Sequence, residues 1–161
     1  MDMVDTERYA RHISLPDVGI TGQKLIDDSR VLVVGAGGLG SPVLMYLAAA
    51  GIGHIGVVDD DVVDLSNLQR QIIHSESAIG RPKVESAKER INSINSAIKV
   101  TTWNARLSPD NAEEILCGWD IVIDGTDNIP TRYLVDDVCN LLGIPWIYGS
   151  IYRFEGQVSL F

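Results

Sequence analysis

The sequence is poor in cysteine, in positive charge and in long apolar runs, and each shortage excludes something. Two cysteines, Cys117 and Cys139, stand among 161 residues. They are too few and too far apart for a disulfide scaffold or a four-ligand zinc cluster, so both read as small buried hydrophobes. Lys and Arg number 13 against 22 Asp and Glu, a net charge of −9. A broad nucleic-acid surface or an anionic membrane surface needs a basic footprint, so neither partner is expected. Local basic sites for small phosphates stay compatible with that balance. No apolar run approaches the ~20 residues of a membrane span. Met1 to Tyr9 is polar and charged, unlike a secretory leader, and a reducing cytoplasm is the expected location. There is no internal repeat and no low-complexity tract.

What is present reads as one folded domain. Apolar residues make up 45% and charged residues 22% of the chain, enough apolar surface to offset chain entropy. Arg30 to Gly35 is a short apolar run closed by glycine, the signature of a strand buried on both faces. Ser41 is a candidate N-cap and Pro42 a first helical residue for a helix that Gly51 ends. Further strands are expected at Ile55–Asp59, Ile98–Trp103, Trp119–Asp124 and Pro145–Tyr148, and another begins at Gly156. Helices are expected over Lys83–Asn95, from Ser108 to about Cys117, and over Pro130–Leu142. Asp60 to Pro82 is long for a connection and should be functional or hold short helices. The segment Met1–Asp28 should be helical, with a break near Gly19–Gly22. Strands alternating with helices predict an α/β fold: a Rossmann-like, doubly wound, mostly parallel sheet over residues 29–161, preceded by an N-terminal helical segment over residues 1–28. Ligands of such sheets sit beyond the carboxyl ends of the strands, here Gly35, Asp59, Asp124–Asp127 and Gly149. The chain stops at Phe161 directly after a strand residue, which suggests a piece of a longer protein.

Gly35-Ala36-Gly37-Gly38-Leu39-Gly40 fits G-x-G-x-x-G between a strand and a helix. Gly35 permits the tight turn, Gly37 lets a phosphate approach the backbone, and Gly40 lets the elements pack closely. Asp59 ends the next strand, where an acid meets ribose hydroxyls. Up to this point NAD and ATP fit equally well, and a Walker-type loop does not, because no G-K-[S/T] occurs. Asn67-Leu68-Gln69-Arg70-Gln71 then places a cation among amides, and Lys83 places another at a helix start, where the helix dipole disfavours it. A dinucleotide pyrophosphate is held by the glycine turn alone, so two added cations point to a triphosphate. Asp127, in Asp124-Gly125-Thr126-Asp127-Asn128, is positioned for a magnesium ion that bridges phosphate oxygens. No Ser or Cys has a base arranged near it in sequence, and His12, His54 and His74 read as structural.

These stretches, together with Arg8-Tyr9-Ala10-Arg11-His12, Gly80 to Ala87 and Glu155-Gly156-Gln157-Val158, resemble the ThiF/MoeB/HesA family, bacterial relatives of ubiquitin-activating enzymes. The resemblance runs from Glu7 onward. It implies an adenylyltransferase that uses ATP and magnesium to activate the C-terminal glycine of a ubiquitin-like sulfur carrier ending in Gly-Gly, for molybdopterin or thiamine synthesis. Carried over by position, Gly38 lies in the nucleotide loop and Asp59 binds ribose. Asn67, Arg70, Gln71 and Lys83 surround the phosphates, and Asp127 holds magnesium. Arg11 reaches the site of the second subunit of a homodimer. The resemblance also implies zinc held by C-x-x-C pairs in a C-terminal part that this sequence does not include; Cys117 and Cys139 do not match those positions. An NAD-dependent oxidoreductase is the alternative on this fold, and it would need an acid/base near Gly149, where none is seen. A non-catalytic nucleotide-binding module is the third reading.

Overall fold

The computed structural model describes residues 4–161, so the first three residues of the N-terminal segment lie outside the described residues. Six strands form one sheet: β1 (Arg30–Val34), β2 (His54–Val58), β3 (Lys99–Trp103), β4 (Ile121–Asp124), β5 (Trp146–Tyr152) and β6 (Glu155–Leu160). Their order is β3-β2-β1-β4-β5-β6. The first five run parallel and β6 returns antiparallel to β5. The sequence order therefore reverses direction between β1 and β4, and a crevice opens beyond their carboxyl ends.

The helices follow from the same apolar patterning. α3 (Gly40–Ala50) and α4 (Lys83–Ile94) cover one face of the sheet, where Leu44, Val84, Ala87 and Ile91 pack against Val31, Val33, Ile55 and Val57. α5 (Ala112–Leu116) and α6 (Ile129–Leu142) cover the other, with Leu116, Val135 and Cys139 against Leu32, Val34 and Val122. Leu32, Leu44, Ile55, Ile91 and Leu116 are fully buried, and each such side chain contributes about 1.5–3 kcal/mol through burial alone. Gly51 and Gly143 close α3 and α6 in the left-handed conformation, at φ 88° and 66°. Asn128 caps α6 by accepting from the Thr131 N–H. The Asp60–Pro82 connection holds two short 3-10 turns, Leu65–Asn67 and Glu76–Ala78.

Five local expectations are corrected. Cys117 is exposed directly after α5, and only Cys139 is buried. Ser41 does not cap α3: the helix begins at Gly40, and the Ser41 hydroxyl is buried inside its first turn without a partner. The break in the N-terminal segment falls earlier than Gly19–Gly22, between α1 (Ala10–Ile13) and α2 (Gly19–Asp28), because Gly22 fits within α2. α5 starts at Ala112 rather than at Ser108, since the Asn111 side chain is engaged with the Ser108 N–H. Gly149 lies inside β5, not at its end, because β6 pairs with β5 as far as Tyr152 and extends it.

The N-terminal segment is tied to the end of the molecule opposite the crevice. Gln23, fully buried, donates to the Ala50 carbonyl at the end of α3 and accepts from His12 Nδ1. Arg8 donates to the Ile94 carbonyl at the end of α4, and Asn95 donates to the Tyr9 hydroxyl. No described helix is long and apolar enough to cross a membrane.

Candidate functional site

A cavity of about 580 Å³ opens at the carboxyl ends of β1, β2 and β4. Its floor is the glycine turn. Gly35 has φ +95°, a conformation that a side chain would strain, and its Cα faces the Gly125 carbonyl. A Cβ on Gly40 would run into the Gly35 carbonyl oxygen, so the third glycine is required by backbone contact within the turn itself. Gly37 and Gly38 line the cavity, with the Arg70 side chain lying over Gly38.

Asp59 shapes this turn as well as facing the cavity. Its Oδ2 accepts from the Ala36 N–H at 2.7 Å and its Oδ1 from the Asp61 N–H at 2.9 Å. Burial raises the Asp59 pKa above the ordinary carboxylate value, and the two backbone bonds and nearby Lys83 oppose the rise. Each oxygen keeps a lone pair, so the carboxylate can still receive hydroxyl donors.

The cations stand on the walls. Lys83 is the first residue of α4, and its side chain is 6% exposed. Its Nζ donates to Asp61 Oδ2 at 2.9 Å, while the Asp61 side chain is 67% exposed. The buried ammonium thus has a partner that sits largely in solvent. Arg70 is exposed and lines the cavity, donating to the Gln69 amide oxygen. Gln71 is buried and lines the cavity, and its amide oxygen has no partner.

The loop after β4 closes the site. Asp127 is exposed and lines the cavity. Asp124, 1% exposed, accepts from both the N–H and the hydroxyl of Thr126 through Oδ1, while Oδ2 has no partner. Burial pushes the Asp124 pKa up, and the Thr126 bonds hold it back. Asp59, Asp60 and Asp61 also bring one oxygen each within 4.8 Å of one another.

The structure gathers Gly35, Gly37, Gly38, Asp59, Arg70, Gln71, Lys83 and Asp127 into this one cavity. Gly40 supports the turn from behind. Asn67 is not in the lining; its carbonyl accepts from the Arg70 and Gln71 N–H groups and so orients the segment that carries them. Arg11 is absent from the lining too. It sits on α1, anchored at the far ends of α3 and α4, about 16–18 Å of helix away from the turn. Two further cations belong to the site and were not singled out in the sequence. Arg106 lines the cavity from the loop after β3. Arg132, on α6, donates to the Thr126 carbonyl at 2.7 Å and to the Tyr148 hydroxyl at 3.0 Å, with its guanidinium 5.0 Å above the Tyr148 ring. The signal for Arg132 was its place one turn beyond the Asn128 cap.

Residues 9–161 match the ThiF family. The chain belongs to the ThiF family. It is 49% identical over 159 residues to the SAMP-activating enzyme E1 of Haloferax volcanii, covering 99% of this chain and 59% of that protein. It is 48% identical over 157 residues to the sulfur carrier protein adenylyltransferase of Thermus thermophilus, covering 98% and 58%. The adenylyltransferase and sulfurtransferase MOCS3 of Arabidopsis thaliana is 51% identical over 154 residues, covering 96% and 33%. This ThiF-family chain therefore spans between a third and three-fifths of the length of these relatives. Among solved structures, the tRNA N6-threonylcarbamoyladenosine dehydratase TcdA of E. coli in complex with ATP superimposes with a TM-score of 0.85. The two are 31% identical, covering 95% of this chain and 65% of that one.

Proposed function

We propose that this ThiF-family domain binds ATP and adenylates the C-terminal glycine carboxylate of a ubiquitin-like sulfur carrier ending in Gly-Gly, working in the cytoplasm as a homodimer. The observation that carries the reading is Lys83: a buried cation at a helix N-terminus, hydrogen-bonded to one solvent-exposed carboxylate, and lining one cavity with the glycine turn. Burying a charge is costly unless it is paired, so such a site favours a second anion. The names of the relatives support the carrier as substrate.

In this reading the triphosphate lies across Gly37 and Gly38, and Asp59 receives the ribose hydroxyls. A carrier carboxylate oxygen attacks the α-phosphorus; a new P–O bond forms, the bond to the β-phosphate oxygen breaks, and pyrophosphate leaves with the electron pair. Lys83 and Arg70 stabilise the charge that grows on the leaving oxygens, and Gln71 donates through its amide. Asp127 is the oxygen ligand for magnesium, a hard cation that is commonly held by one or two carboxylates together with substrate phosphates. Bound there, magnesium would neutralise phosphate charge. The exposed carboxylate at the cavity rim fits that role.

Arg11 cannot serve its own cavity from the far side of the domain. We assign it to the site of the second subunit, where its guanidinium fork suits phosphate oxygens. The test is ATP–pyrophosphate exchange with a carrier ending in Gly-Gly. Arg11→Ala and Asp127→Ala chains should each be inactive alone. Mixed, they should regain activity, because one site of a mixed dimer carries neither lesion. No recovery despite proven subunit exchange overturns the shared site, and no exchange by the unmodified protein overturns the adenylation reading.

A further inference from the structure

The two peptide groups that flank Ala36 in the glycine turn are each held by a side chain from outside it. The Ala36 N–H is taken by Asp59 at 2.7 Å. The Ala36 carbonyl lies 3.0 Å from His74 Nε2. A carbonyl only accepts, so Nε2 carries the proton in this contact. In the neutral ring Nδ1 is then an acceptor, and it lies 2.9 Å from the Ser86 hydroxyl, which donates to it. His74 is 7% exposed and Ser86 5% exposed. Burial lowers the His74 pKa, which keeps the ring in that neutral form. Ser86 lies on α4, one turn from Lys83.

We propose that His74 is a positioning residue for nucleotide binding: it fixes the rotation of the Ala36–Gly37 peptide, and with it Gly37 and Gly38, against the helix that presents Lys83. The inference rests on reading the cavity as a nucleotide site. The loop that supplies Arg70 and Gln71 runs directly into His74, so one imidazole joins the three parts of the site: turn, loop and helix. A turn fixed before the ligand arrives spends less binding energy on ordering.

Three variants separate this role from space filling. A glutamine amide nitrogen stands where Nε2 does, and an asparagine amide where Nδ1 does. His74→Gln should keep ATP affinity within about threefold of the unmodified protein. His74→Asn and His74→Leu should bind ATP about tenfold more weakly by calorimetry, with KM for ATP rising more than kcat falls in pyrophosphate exchange. A turn released at the Ala36 carbonyl also loosens the neighbouring Ala36 N–H from Asp59, so hydrogen exchange of that amide, measured without nucleotide, should rise about tenfold in His74→Asn and not in His74→Gln. Equal affinities for all three variants, or equal amide protection in Gln and Asn variants that both fold, overturns the role. Absence of ATP binding by the unmodified protein overturns the nucleotide reading instead. The exchange measurement then still decides whether His74 pins the turn.

Discussion

Two ion pairs sit at opposite ends of the same sheet, and they are built differently. At the amino ends, Arg30 of β1 meets Asp120 just before β4, Nη2 to Oδ1 at 3.0 Å, with side chains 51% and 48% exposed. Asp120 also accepts from the Arg30 N–H at 2.7 Å. Both partners share one environment, each satisfies the other, and water screens what is left. At the carboxyl ends, Lys83 is 6% exposed and Asp61 is 67% exposed. The hydrogen-bonded partner of this buried cation therefore sits largely in solvent, with Asp59 nearby. The first pair stitches two strands together; the second sets a buried ammonium on the wall of the cavity. Pairing distance does not distinguish them, since both lie near 3 Å; burial of the cation does.

The largest way to break the contrast is Lys83→Ala. Pyrophosphate exchange should fall by roughly 10²–10³-fold, the usual loss for one electrostatic donor in a closed site. Full activity in that variant would return Lys83 to the structural class. Next is Asp127→Asn, which keeps shape and removes charge. Activity should fall and excess magnesium should recover part of it by mass action, whereas an unchanged magnesium requirement makes Asp127 a turn residue. A smaller effect concerns Asp124. Its folded-state pKa is raised above 3.8, so the folded chain keeps a proton that the unfolded chain loses. Stability therefore declines as pH rises from about 3.8 through the raised value, and levels off above it. In Asp124→Asn that part of the decline should vanish from a series of thermal melts; an unaltered profile would place the titration elsewhere. Smallest is Arg30→Ala. Exchange activity should be unchanged and the melting midpoint should move by less than about 3 °C, as expected for an exposed pair.

The architecture was legible because its signals are local. Apolar runs closed by glycine mark β1, and the glycines at the ends of α3 and α6 need a conformation that other residues resist. That the glycine turn, Asp59, Lys83 and Asp127 lie at the cavity was legible because each follows a strand or opens a helix at the crevice end, whereas Arg70, in mid-connection, stood out only as a cation among amides. What the sequence hid depends on three-dimensional approach. Arg132 reads as an ordinary helical residue until its reach to Thr126 and Tyr148 is seen. His74 reads as an isolated structural histidine, and its two partners lie 38 and 12 residues away. Gly40 looks like a helix–strand spacer, yet its nearest obstacle is the Gly35 carbonyl of its own turn. The extension of β5 past Gly149 comes from pairing with β6, which strand propensity in Pro145–Tyr148 alone does not encode.

Lys83 and Arg70 line the cavity in addition to the glycine turn, a surplus of positive charge that suits a triphosphate better than a dinucleotide. Calorimetric titration of the protein with magnesium-ATP and, separately, with NAD tests it directly. The cations Lys83 and Arg70 have phosphate charge to meet in ATP beyond what the glycine turn already holds in a pyrophosphate. ATP should therefore bind at least tenfold tighter, a difference of about 1.4 kcal/mol. Equal affinities, or tighter binding of NAD, would mean that the cavity is not a triphosphate site.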